Sequence, residues 1–175
     1  MLFKTISLGV LISFISFQSF AVDGYKGVKF GADVNSVLAA KWCNFQKYKG
    51  SGIKGLQSYY CENFKFSGSD TLAMAIFLDG KFERIAISLN SGIAPLTAAL
   101  EKKYGKPSST TTPEEGQKVM AQGGSLYIRY DKDTVLLVGT RDISSGQDMS
   151  QLIYSSADYD KKLANLQAQN LEGDL

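Results

Sequence analysis

Residues Leu72–Leu89 read LAMAIFLDGKFERIAISL. Two apolar runs, Leu72–Leu78 and Phe82–Leu89, flank Asp79-Gly80. The pair is a strong hairpin signal, because the glycine accepts the positive φ that a two-residue turn between twisted strands demands. This stretch decides the fold class. A parallel pair needs a crossover of a dozen or more residues, which a two-residue turn cannot supply, so the strands run antiparallel.

Toward the N-terminus, Gly27–Gly31 reads as a short strand, and Asp33 is placed to cap a helix with Val34, Val37 and Leu38 on one face. That helix is expected to end near Trp42, and Gln57–Phe66, rich in Tyr and Phe, reads as a further strand. Toward the C-terminus the order restarts. Pro95 suits a first helical turn, Leu96, Ala99, Leu100 and Tyr104 keep helical spacing, and Gly105 with Pro107 ends the helix. Ser108–Gly116 reads as a polar loop. Ser125–Tyr130 and Thr134–Thr140 form a second hairpin around Asp131-Lys132-Asp133. Gln151–Tyr154 is expected as an edge strand, Tyr159–Gln169 as a final helix with Leu163 and Leu166 inward, and Asn170–Leu175 as a loose tail. The class is α+β, with helices packed on an antiparallel sheet, and two halves, 22–90 and 91–169, of similar helix-plus-hairpin layout.

The first residues bear on compartment. Lys4 precedes an apolar run from Ile6 to Ile15, and Ser19-Phe20-Ala21 places small residues where a signal peptidase reads them. The run is shorter than the roughly 20 apolar residues a spanning helix needs. Residues 1–21 are therefore expected to be a signal peptide and 22–175 a single mature domain in the periplasm or outside the cell, with no membrane span. The lack of a cysteine near that cleavage site argues against a lipid anchor. Without Lys4 the chain has one excess cation, which argues against a nucleic-acid partner.

The chain has two cysteines, Cys43 and Cys61. In an exported protein they are expected to be joined, in the one connectivity available. Between them lies Gly50-Ser51-Gly52-Ile53-Lys54-Gly55, which matches G-x-G-x-x-G. A dinucleotide site needs that pattern after a strand and opening a helix. Here Asn44–Lys49 forms no convincing buried strand, and Leu56–Tyr60 reads as strand, so a stapled loop is favoured over a phosphate cradle. Ser51 and Lys54 also have serine–lysine dyad spacing, but that chemistry needs a helical turn, and three glycines oppose one.

The sequence contains no histidine, which removes Ser-His-Asp and Cys-His catalysis and most zinc sites. Glu114-Glu115, Asp131, Asp133, Asp142 and Asp148 lie in turn-like polar stretches, where carboxylates bond their own backbone. No catalytic residue, metal ligand or cofactor is assigned. Aromatic residues crowd the staple instead. Trp42, Tyr48, Tyr59 and Tyr60 stand among lysines that include Lys54, and alternation forbids Tyr59 and Tyr60 from both facing inward. These five residues are the candidate partner-binding set, since Tyr and Trp dominate interface energetics.

The segment Phe30-Gly31, the short helix from Val34, the strands after it and the helix ending Tyr104-Gly105-Lys106-Pro107 together resemble small envelope modules built on helix-helix-sheet units. These include the SmpA/OmlA-type assembly lipoproteins and the β-lactamase-inhibitor-protein-like domains. The chain departs from them in lacking the lipid-attachment cysteine and in carrying Lys41-Trp42-Cys43 where a Gly-x-Pro terminator belongs. The resemblance implies a binding or assembly role in the envelope and carries no catalytic residue across. The expected function is a secreted, periplasmic, non-enzymatic binding protein acting on another envelope protein, as inhibitor, immunity protein or assembly factor. The alternatives are an envelope hydrolase using Ser51 and Lys54 or a carboxylate pair, and a binder of a small or lipidic ligand.

Overall fold

In the computed structural model, residues 21–50, 52–90 and 93–173 are described. The signal-peptide expectation, apart from Ala21, falls outside them, as do Ser51 and residues 174–175. Among the described residues the element order begins with β1 (Gly24–Tyr25), β2 (Val28–Lys29), α1 (Val34–Ala39), β3 (Gln46–Tyr48), β4 (Leu56–Phe66), β5 (Ser69–Leu78) and β6 (Lys81–Ser88). It continues with α2 (Ala94–Tyr104), β7 (Ser109–Thr110), α3 (Pro113–Gln122), β8 (Gly124–Tyr130), β9 (Val135–Asp142), β10 (Gln147–Ser155) and α4 (Tyr159–Gly173).

β3 to β10 form one antiparallel sheet in the order β3-β4-β5-β6-β10-β9-β8-β7, and β1 and β2 form a separate small hairpin. The protein is α+β, with strands outweighing its four helices. The deciding hairpin forms as read, β5 and β6 meeting at Asp79 (φ 48°) and Gly80 (φ 74°). Its partner, β8–β9, turns through Asp131, Lys132 and Asp133, all at positive φ, a conformation that aspartate tolerates better than most side chains.

Residues directly opposite each other in a ladder share a face, so the register sorts the sheet into two sides. Tyr59, Ala75, Ile85, Tyr154, Val135 and Tyr130 form one inward row. Cys61, Ala73, Ile87, Leu152, Leu137 and Ile128 form the next. All but Tyr59 and Ile128 are buried, and Val37 of α1 and Leu100 of α2 close over them. A second, smaller core of Leu78, Tyr159 and Leu166 lies where α4 packs on the opposite face.

The structure corrects several boundaries. Asp33 caps α1 as expected, accepting from Ser36 N–H at 2.7 Å. The helix stops at Ala39, though, because Lys41 turns to φ 51°. Ser108–Gly116 is no simple loop. It holds β7 and the start of α3, whose Thr112–Glu115 capping box satisfies two orphan N–H groups and whose Pro113 occupies the first turn. β10 is not an edge strand: it lies between β6 and β9 and runs from Gln147 to Ser155. α4 continues through most of the expected tail to Gly173.

Candidate functional site

Cys43 and Cys61 are joined, tying the segment after α1 to the inward face of β4. Cys61 is buried beside Phe64 in the main core. The bond brings β3 alongside β4 with Gln46 opposite Tyr60, Lys47 opposite Tyr59 and Tyr48 opposite Ser58. The candidate residues therefore divide. Tyr59 turns inward onto Phe77, ring centroids 5.5 Å apart. Trp42 also lies inside, packed at 5.3 Å on Tyr25 and 5.9 Å on Phe82. Tyr48 and Tyr60 face outward and meet edge to face at 6.4 Å. The Tyr60 hydroxyl reaches the Gln46 side-chain carbonyl at 3.5 Å.

Lys54 is drawn elsewhere. Its N–H donates to Asn170 Oδ1 at 2.8 Å, and Asn170 Nδ2 donates back to the Lys54 carbonyl at 3.0 Å. The glycine loop is thus held at its far end by α4. Gly55, at φ +90°, lies so close to Asp79 and Leu166 that a Cβ would stand 2.6 Å from Asp79 Oδ1 and 2.8 Å from a Leu166 methyl. The loop joins two antiparallel strands, β3 and β4, and does not open a helix, so it lacks the geometry of a dinucleotide turn.

α4 covers only one end of the outward face. Its Tyr159, Leu163 and Leu166 pack with Leu56, Ile76 and Leu78. The helix is fastened by a polar cluster that the sequence does not announce. Glu83 is only 2% exposed, yet it accepts from Lys162 Nζ at 2.9 and 3.0 Å and from Ser156 Oγ at 2.5 Å. Burial works to lower the Lys162 pKa, but hydrogen bonds to Glu83 and Asp158 outweigh it and the net shift is upward. Beside it, the Arg84 guanidinium lies 3.5 Å over the Tyr159 ring and donates to Ser155 Oγ and Asp160. A buried carboxylate so paired stabilises only while its partners remain.

Beyond α4, a row runs straight across the outward face: Gln46, Tyr60, Met74, Ala86, Ile153, Leu136 and Arg129. Val138 and Tyr127 flank it in the neighbouring row, and Arg129 stacks over Tyr127 at 4.4 Å. The apolar side chains of α4 pack on Leu56, Ile76 and Leu78, not on this row, whose own apolar side chains are half-buried. Sequence reasoning found Tyr60 and missed the row, because its members come from seven separate strands and only register aligns them.

On the inward side, Tyr25, Tyr104 and Tyr154 meet below the β1–β2 hairpin, at a depression that Lys103 and Ala21 also line. Burial pushes all three phenols up, and a hydrogen bond joins Tyr104 to Tyr154. Among the described residues no group of three or more His, Cys, Asp and Glu side chains is arranged to hold a metal ion. Likewise, none of the described helices is long and apolar enough to cross a membrane.

An α+β chain with a stapled edge and an open outer face is what the geometry defines. A family described as "Uncharacterised protein" matches residues 25–174, and the chain belongs to that family. It is 34% identical over 174 residues to an uncharacterized protein of Haemophilus influenzae, covering 97% of each chain. No solved structure matches it significantly.

Proposed function

We propose that the protein is an exported, periplasmic, non-enzymatic binding protein that acts on another envelope protein, as inhibitor, immunity protein or assembly factor. The observation that carries this reading is the outward row from Tyr60 through Met74, Ile153 and Leu136 to Arg129, left open where α4 stops. Tyr, Met and Arg around an apolar centre are the residue types enriched at protein interfaces. The two halves, 22–90 and 91–169, each lend strands to this face. Tyr48 extends it to the sheet edge, while Trp42 and Tyr59 support it from beneath by fixing β3 and β4.

A ligand-binding alternative draws less support. The depressions under the β1–β2 hairpin and beside α4, about 940 and 920 Å³, are large enough for a small molecule, but Asp23, Lys26 and Lys103 line the first and Lys54, Asp79 and Asn170 the second, whereas small-molecule sites are mostly apolar. The apolar depression lined by Ile93, Val119, Met120 and Leu126 has only about 140 Å³.

A photo-crosslinking amino acid placed at Tyr60 or at Leu136, in protein expressed in its own host, tests the proposal. One discrete protein adduct at both positions is expected, lost on Ile153→Asp and absent with the probe at Glu114 on α3. Equal labelling from all three positions would sink the outer-face reading.

A further inference from the structure

The half-buried N–H of Val22 points at the β8–β9 turn and donates to Asp131 Oδ2 at 2.5 Å. That carboxylate is held in place by the turn itself. Asp131 sits at φ 51°, and Thr134 Oγ1 lies 3.1 Å from the same oxygen while donating to the Asp131 carbonyl at 2.7 Å. Thr134 is buried, so the turn cannot swing freely away from the N-terminal hairpin. Val22 is also the residue that follows the small pair Ser19 and Ala21 in the sequence.

We propose that cleavage between Ala21 and Val22 makes a docked N-terminus: the new Val22 ammonium pairs with Asp131 and clamps the β1–β2 hairpin onto the sheet. The inference rests on the export reading of residues 1–21. In the step itself, water adds hydroxyl to the Ala21 carbonyl carbon and a proton to the Val22 nitrogen as the amide C–N bond breaks. At neutral pH the amine then takes a second proton from solvent and the Ala21 acid releases one. The agent is an export-linked peptidase. The bond to the carboxylate is already assisted by the acceptor's charge, and cleavage adds the opposite charge on the donor, making it an ion pair. An uncleaved chain keeps only the amide-to-carboxylate bond, without a charged donor, so the clamp reports that processing has occurred.

The surroundings set the pH dependence. From the first hairpin, Asp23, Lys26 and Tyr25 lie near the amino group, and from α2, Lys103 and Tyr104. Tyr154 faces it from β10. In the turn, Lys132 is exposed and Asp133 is turned away to accept from Ser108 Oγ at 2.6 Å. Asp131 is the group in direct contact. A paired ammonium titrates above its unfolded value of about 7.7–8.0. Its stabilisation is therefore complete below that value and is lost as pH rises through the folded pKa.

The test uses full-length chain expressed with residues 1–21, exported, purified and weighed intact. A mass beginning at Val22 is expected; a mass that retains residues 1–21 overturns both this proposal and the export reading, and a start at another nearby residue overturns this proposal alone. In protein labelled with 13C-valine, or with 13C-alanine where an alanine is inserted ahead of Val22, the Cα shift of the N-terminal residue is then followed against pH. The α-amino pKa is expected about one unit above the ordinary range, a tenfold gain in proton affinity. It should return to that range in Asp131→Asn, which keeps a side chain tolerant of the turn, and in a chain with one alanine inserted between Ala21 and Val22. The urea midpoint difference between wild type and Asp131→Asn should also shrink above about pH 8. One common α-amino pKa in all three proteins, or a difference that does not vary with pH, overturns the docking and leaves the export reading standing.

Discussion

Removing the Cys43–Cys61 bond probes the fold where the candidate face begins. The clean perturbation is Cys43→Ala with Cys61→Ala, because serine at position 61 would bury a hydroxyl among Phe64, Ala73 and other apolar groups. The bond spans 18 residues. Chain-entropy arithmetic for that loop gives about 3 kcal/mol of stabilisation at 25 °C. For a domain of this size each kcal/mol moves the melting temperature by about 2–4 °C, so the variant should melt about 6–12 °C lower. The structure also says where the loss is felt. β3 keeps its three residue pairs with β4, and Asn170 keeps its two bonds to Lys54. Amide exchange should therefore quicken first in Gln46–Tyr48, while the Asp79–Gly80 hairpin keeps its protection. Calorimetry under non-reducing conditions, followed by hydrogen exchange read by NMR, measures both effects. A melting temperature within about 2 °C of wild type would refute the reasoning, as would exchange that quickens equally across β5 and β6.

Three further outcomes are expected. Gly55→Ala should cost about 1–3 kcal/mol, seen as a lower urea midpoint, because the position needs positive φ and the new methyl meets Asp79 and Leu166; an unchanged midpoint would count against the observed packing. Asn170→Ala should remove about 1–2 kcal/mol with its two bonds to the Lys54 backbone, and should raise exchange at the Lys54 amide without touching the β8–β9 turn. The carboxyls of Asp33, Glu115 and Asp158 are held below their ordinary values, by hydrogen bonds from Ser36, Thr112 and Lys162 respectively, and Ser144 and Ser145 bring Asp142 to about 2. Depressed folded pKa values stabilise above the unfolded values and are lost as pH falls through them. The urea midpoint should therefore drop steadily from about pH 4.5 to about pH 2; a flat midpoint over that range would show that these contacts do not persist in solution.

What the sequence made legible depended on locality. The β5–β6 hairpin, the Asp33 cap and the Gly105 stop each carry their signal within a few residues, and the disulfide followed from there being one possible pair. β10 was misplaced because Gln151-Leu152-Ile153-Tyr154 alternates weakly, and whether a strand is flanked on one side or both is decided by distant partners, Ile85–Ile87 and Val135–Leu137. α3 was missed although Thr112-Pro113-Glu114-Glu115 is a capping signature, because the helix has no buried residue and so leaves no apolar period. Trp42 looked like a helix end because nothing in the sequence shows that Lys41 takes positive φ. At the candidate site, the opposition of Tyr59 to Tyr60 was readable from alternation alone. The alignment of Tyr60 with Met74 and Leu136, and the burial of Glu83, both depend on register and on a helix docked from the far end of the chain.

The position of β10 fixes the order in which this molecule can be completed. It is the last strand to be synthesised, yet it holds both ladders that join β6 to β9. Until it arrives, the ribbon from β3 to β6 and the ribbon from β7 to β9 have no common border, and the core between them lacks Leu152 and Tyr154. Each ribbon then ends in a bare edge of unpaired N–H and C=O groups. A chain without residues 147–155 is thus two open fragments, and those residues join them into one body as a keystone.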